Sequence, residues 1–187
     1  LHPLQVLFKK HGRSIFDAER ISIHGGSLRV FVAIDNNKKR KKTKSLRQLI
    51  ASEKLHRLGK KSTYNLFISS LKKFKIKFRS LLLGIKRQNK SIVGIGAPAK
   101  SVTLLNYCDI DHSIIDYITD TTSYKQGRFM PGVHIPILPE EELERSKTPD
   151  YLLMLAWTYK REMLKKLEKY RRRGAKIITP FPSISII

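Results

Sequence analysis

Ser91 to Lys100 reads SIVGIGAPAK, a short apolar run that closes in Gly94 and Gly96 just before a helix-like segment. Such a turn presents backbone N–H groups to an anion, because glycine lacks the Cβ that keeps a ligand away from the chain. Pro98 suits a first helical turn, where its missing N–H costs nothing. The helix that follows aims its positive end beyond the strand, and Lys100 and Ser101 add a charge and a hydroxyl. GIGAPAK completes neither a dinucleotide fingerprint nor a P-loop, so the motif alone is equally a tight strand-to-helix turn.

The surrounding pattern must place that turn. From about Lys90 onward, strand-like and helix-like runs alternate. Ile92 to Ile95 reads as a strand, Ala99 to Tyr107 as a helix, Ile114 to Ile118 as a strand and Ile135 to Ile137 as a short one. Pro139 opens an acidic turn, Tyr151 to Ala156 is a continuous apolar strand, Lys160 to Arg173 an amphipathic helix, and Ala175 to Thr179 a last strand. The alternation predicts an α/β fold: a Rossmann-like, mostly parallel sheet with helices on both faces. Its ligand edge lies beyond the carboxyl ends of the strands, where Gly94, Gly96, Asp120 and Trp157 fall.

Upstream, residues 1–35 carry a short helical pattern (Leu4, Leu7, Phe8) ending at Gly12, then two strand-like runs, Ser14 to Ile23 and Ser27 to Ile34, joined through His24-Gly25-Gly26. That is too little chain for a stable domain, and it reads as the tail of a domain whose core lies upstream. Residues 36–90 form a basic linker and connecting helix. Asn36 to Lys44 is a solvated run, and from Tyr64 an apolar stripe of Phe67, Leu71, Phe74, Phe78, Leu82 and Ile85 marks a long amphipathic helix with a basic outer face. Residues 91–187 form the α/β domain.

The net charge of +23 over 187 residues is concentrated there: residues 1–35 contribute +2, residues 36–90 +18 and residues 91–187 +3. Such a face suits phosphates or an anionic surface, although a solvated face is the commoner outcome. One cysteine, Cys108, argues against a disulfide framework and against a zinc site within the chain. No apolar run of membrane-spanning length occurs, so no membrane is expected and the cytoplasm is the expected compartment.

Four segments carry a resemblance: HGRSIFDAERISIHGGSLRVFV (His11 to Val32), GIGAPAKSVTLLNY (Gly94 to Tyr107), DTTSYKQGRFMPGVHIPI (Asp120 to Ile137) and DYLLMLAW (Asp150 to Trp157). In this order they resemble the C-terminal part of the S-adenosylmethionine-dependent C-methyltransferases that act on nucleotide-linked deoxysugars. The resemblance implies a zinc-binding module and a methyltransferase domain with its S-adenosylmethionine loop and acid–base segment, all before Leu1. It implies no catalytic and no cofactor-binding residue in this chain, and inactivity of the chain alone. The implied partners are a nucleotide-diphosphate sugar and an upstream methyltransferase domain, in the same or a separate chain.

Expected substrate contacts are Gly94, Gly96, Lys100 and Ser101 at the diphosphate, with Lys125 and Arg128 adding charge from the loop after Asp120. His24, Ser27 and Arg29 belong to the HGGSLR hairpin, which the resemblance turns toward the substrate. Plainer roles stand beside these. His24-Gly25-Gly26 also reads as turn chemistry, Asp120 as a loop cap and Trp157 as an anchoring aromatic. Two other functions compete: a stand-alone nucleotide- or diphosphate-binding module, and a nucleic-acid-binding protein using the Lys38 to Lys61 stretch. Few aromatics interleave with that stretch, which weighs against nucleic acid.

Overall fold

The computed structural model describes residues 1–35 and 40–187, and the first part of the expected linker, 36–39, lies outside the described residues. The chain divides into two compact units, Leu1–Ser70 and Leu71–Ile187.

In the first unit, helices α1 (His2–Lys10) and α2 (Lys44–Leu55) accompany an antiparallel ribbon of β1 (Arg13–Ile21) and β2 (Ser27–Ile34). A bulge between Ile15 and Asp17 shifts the ribbon's register. Ile15 and Ala18 from β1 and Leu46 from α2 are buried together, with Phe8, Val30, Val32, Leu49 and Ile50 packed against them. Helix α2 was not anticipated, because the lysine run masks its Leu46-Leu49-Ile50 stripe. Thr43 starts it: the hydroxyl accepts the Leu46 N–H at 3.2 Å and donates to Asp17 Oδ1 at 2.6 Å.

Helix α3 (Lys61–Arg87) contains the division between the units. Its later residues Phe78, Leu82 and Ile85 are buried in the second unit, each contributing about 1.5–3 kcal/mol by leaving water.

That second unit is built on seven strands: β3 (Ile92–Ile95), β4 (Tyr117–Thr119), β5 (Arg128–Phe129), β6 (Pro136–Leu138), β7 (Tyr151–Met154), β8 (Lys176–Thr179) and β9 (Ser185–Ile186). Their spatial order is β5-β6-β4-β3-β7-β8-β9. The five inner strands run parallel, and the edge strands β5 and β9 are antiparallel to their neighbours. One face packs on α3 and on Leu104 and Leu105 of α4 (Ala99–Tyr107). The other packs on Leu143 of α5 (Glu142–Arg145) and on Leu167 and Tyr170 of α6 (Lys160–Arg172). The Rossmann-like α/β fold, preceded by a helix, a hairpin and a long basic helix, is the one expected.

Element boundaries differ from the sequence reading where buried turns imitate strands. Ile114 and Ile115 are buried, yet they belong to a turn in which Asp111 Oδ1 accepts the Ser113 N–H at 2.9 Å and hydroxyl at 2.6 Å. The short edge strands β5 and β9 carry too few residues to show a period.

Candidate functional site

The chain order of the strands sets the site. From β3 the chain moves outward through β4 to β6, then returns to the other side of β3 with β7 and continues to β8. Helix α4, after β3, and helix α6, after β7, lie on opposite faces of the sheet. That divergence makes the carboxyl ends of β3 and β7 the topological switch point, the place where doubly wound sheets hold ligands.

The two glycines there differ in role. A Cβ on Gly94 would lie 2.7 Å from Ile118 Cγ1 and 2.9 Å from Leu155 Cδ1, so this position makes room for the core and not for a ligand. Gly96 has φ +82° and donates its N–H to Thr119 O at 2.7 Å. A Cβ on it would lie 2.9 Å from Ala156 Cβ, which holds the turn at the end of β3 close to the chain leaving β7.

Asp120, at the end of β4 and only 7% exposed, reaches into this turn. Its Oδ2 accepts the Ala97 N–H at 2.6 Å and its Oδ1 the Thr122 N–H at 2.8 Å. Lys125 Nζ donates to Asp120 Oδ2 at 3.3 Å and to Ala97 O at 3.1 Å, and Gln126 Nε2 donates to Asp120 O at 2.9 Å. Burial opposes ionisation of Asp120, but the bonds from Thr122 and Ala97 and the Lys125 charge outweigh it and hold its pKa below the ordinary value. One of the N–H groups expected at an anion is therefore already bonded to a carboxylate.

Ser101 is equally engaged: it is fully buried, and its hydroxyl donates to Pro98 O at 2.6 Å. Among the described residues, nothing accepts the N–H groups of Ala99 and Lys100 at the start of α4. The Lys100 ammonium donates to Thr158 Oγ1 and stands 5.2 Å from the centroid of the Trp157 ring. Burial lowers its pKa. Trp157 packs on Phe181 at 4.9 Å, which stacks on Phe74 at 5.0 Å, so the indole ends an aromatic column rooted in the core. Arg128, on edge strand β5, is exposed. Two groups thus flank the turn after β3, Asp120 with Lys125 and Gln126 on Ala97 and Lys100 with Thr158 and Trp157, and Thr158 and Gln126 are members the sequence reading missed. Only their positions after strand ends in a doubly wound sheet could have signalled them.

The hairpin residues belong to the first unit. His24 adopts φ 56°, ψ 27° in the turn between β1 and β2. The Ser27 hydroxyl donates to Ile23 O at 3.0 Å, and Arg29 pairs across the ribbon with Glu19 at 2.8 Å. Ser27 also borders a cavity of about 410 Å³ with Arg20, Gly25, Gly26, Leu28, Leu49 and Glu53.

No three His, Cys, Asp or Glu side chains among the described residues come together as a metal site. Burial pushes the Cys108 thiol up to about 11, far from the thiolate that zinc requires. Zinc does not fit these residues. None of the described helices is long and apolar enough to cross a membrane.

The fold is that of a doubly wound α/β domain, with a glycine turn and a lysine at its switch point. The model of one family, described as the C-methyltransferase C-terminal domain, matches residues 22–182, and the chain belongs to that family. C-methyltransferase NovU of Streptomyces niveus is 32% identical over 190 residues, an alignment that takes in this whole chain but 44% of NovU. The chain thus spans less than half the length of that curated relative.

Proposed function

We propose that this chain is the substrate-side part of an S-adenosylmethionine-dependent C-methyltransferase acting on a nucleotide-linked keto or deoxy sugar. One observation carries the reading: at the switch point, the unbonded N–H groups of Ala99 and Lys100 lie at the start of α4, beside the Lys100 ammonium and the Trp157 ring. Backbone donors, a helix N-terminus and a partly desolvated cation suit a diphosphate. Lys125 and Arg128 add positive charge on the β4–β6 side, while Asp120 holds the turn in shape from within. Gly94 and Ser101 serve this site through packing and the first turn of α4; His24, Ser27 and Arg29, on the hairpin of the first unit, are proposed separately as substrate contacts.

In the whole enzyme a base removes the proton beside the sugar's keto group, and the enolate carbon takes the methyl group from the sulfonium, leaving a thioether. The base, the S-adenosylmethionine loop and a zinc module belong to an upstream methyltransferase domain. This chain binds and orients, and alone it methylates nothing. Its switch point repels a sulfonium, since the nearby cations are lysines and the Asp120 carboxylate is spent on internal bonds.

Trp157 is the chain's single tryptophan, so its fluorescence reports on the switch point. Saturable quenching by a thymidine-diphosphate sugar, and none by S-adenosylmethionine, is the expected result. An unchanged spectrum with the sugar nucleotide contradicts the reading.

A further inference from the structure

The two lysines tied to the turn after β3 are held in different ways. Lys125 pairs with the Asp120 carboxylate at 3.3 Å, so its charge is answered within the fold. Lys100 has no such partner. Its ammonium donates to a neutral hydroxyl, Thr158 Oγ1, and stands 5.2 Å from the centroid of the Trp157 ring, and no carboxylate pairs with it among the described residues. A hydroxyl and an indole face fix the place of a cation without cancelling its charge. Burial lowers the pKa of Lys100, the mark of a cation partly withdrawn from water with no anion in exchange.

The groups that hold this ammonium come from the other side of the switch point. Lys100 lies in the first turn of α4, after β3, whereas Trp157 and Thr158 lie in the short turn Trp157–Tyr159, between β7 and α6. Both holders are stiff. The Tyr159 N–H closes their turn on Ala156 O at 3.0 Å, and Thr158 is β-branched, with few rotamers open to it. The indole packs on Phe181 at 4.9 Å, and Phe181 on Phe74 at 5.0 Å. Ordering a free lysine side chain when a ligand arrives lowers affinity. Here the ordering precedes the ligand. Thr158 takes one of the ammonium's N–H donors, and nothing accepts the others among the described residues.

We propose that Thr158 is a positioning residue for the anion contact: with the Trp157 ring it holds the Lys100 ammonium across the switch point, its remaining N–H donors free for phosphate oxygens. That the anion is the diphosphate of a sugar nucleotide rests on the function proposed above; the seat itself does not. Thr158 acts only through Lys100.

The test is a double-mutant cycle in the full 187-residue chain, with Thr158→Val and Lys100→Ala made singly and together and Thr158→Ser as the conservative change. Circular dichroism confirms that each variant folds. Without ligand, NMR of the chain carrying carbon-13-labelled lysine reads the ε-methylene signals of Lys100, identified by their loss in Lys100→Ala. In the wild type and in Thr158→Ser the indole ring current shifts them upfield of the other lysines, and in Thr158→Val that shift is lost. Calorimetry with a thymidine-diphosphate sugar, and separately with inorganic diphosphate, then reads affinity. Thr158→Val weakens binding about threefold to tenfold, the effect of releasing one ordered side chain, and Thr158→Ser restores it to within about twofold. In the Lys100→Ala background Thr158→Val changes nothing further. Equal lysine shifts in wild type and Thr158→Val, equal affinities of the two, or the same loss from Thr158→Val with and without Lys100 overturns the proposal. Binding of inorganic diphosphate alone, with this order of variants, upholds the seat and refutes the sugar-nucleotide reading. Sugar-nucleotide binding indifferent to Thr158 upholds that reading and refutes the seat. Binding of neither probe refutes both.

Discussion

Asp120 Oδ2 accepts the Ala97 N–H at 2.6 Å, so a carboxylate from the end of β4 holds the turn that leads from β3 into α4. The same group receives the Thr122 N–H at 2.8 Å. Asp120→Ala leaves both donors buried or half-buried without a partner, at a cost of about 2–4 kcal/mol in stability. Asp120→Asn keeps an acceptor and loses the Lys125 pairing, and it costs less. Thermal unfolding of both variants checks the order. Because the folded pKa is lowered, this contribution is full above the ordinary aspartate range and is lost as pH falls below that range through the folded value.

Gly94 and Gly96 fail differently when given a side chain. Gly94→Ala drives a Cβ to 2.7 Å from Ile118 Cγ1 inside the core, which costs about 1–3 kcal/mol by overpacking. Gly96→Ala adds the strain of φ +82° to a 2.9 Å approach to Ala156 Cβ. Both variants lower the melting temperature, and Gly96→Ala also weakens sugar-nucleotide binding because it moves the start of α4. Equal binding by the two variants, measured at a temperature where both are folded, contradicts the separation of roles.

At the opposite end of β3 and β7, Asp150 accepts the Ser91 N–H and hydroxyl and the Lys90 ammonium, each at 3.0 Å. The Ser91 backbone bond and Lys90 hold its pKa down to about 2 against an ordinary 3.8. A depressed carboxylate stabilises the fold above its unfolded value, so this contribution is full above about pH 4 and is lost as pH falls toward about 2. Asp150→Asn lowers the melting temperature at pH 7 and flattens its decline between pH 4 and pH 2. A decline as steep as that of the wild type refutes the assignment.

The β1–β2 ribbon exposes Leu28 and Phe31, both on β2, and no strand pairs with the outer edge of β2 among the described residues. Leu28→Lys with Phe31→Lys reduces aggregation, read by light scattering at rising protein concentration, with little change in melting temperature. Unchanged aggregation means that the ribbon is not the sticky surface.

The sheet was legible because Ile92 to Ile95 and Tyr151 to Ala156 are unbroken apolar runs between helical patterns, which parallel strands buried on both faces require. The glycine turn was legible for the same reason. Two things were not. The sequence places Asp120 at a strand end but not its carboxylate against Ala97, which depends on the parallel register of β4 beside β3. The Lys100–Thr158 bond joins residues 58 apart, and no local pattern announces it. Helix α2 was hidden by charge: lysines that flank Leu46, Leu49 and Ile50 read as linker, although Thr43 already supplied the cap.

The most direct test of the central claim is calorimetric titration of the 187-residue chain and its Lys100→Ala variant with a thymidine-diphosphate sugar, and separately with S-adenosylmethionine, at two salt concentrations. Saturable sugar-nucleotide binding weakened about tenfold by Lys100→Ala, the effect of removing one charge-assisted contact, is the expected result, with no heat of binding from S-adenosylmethionine. Silence toward the sugar nucleotide, or binding indifferent to Lys100, would contradict it.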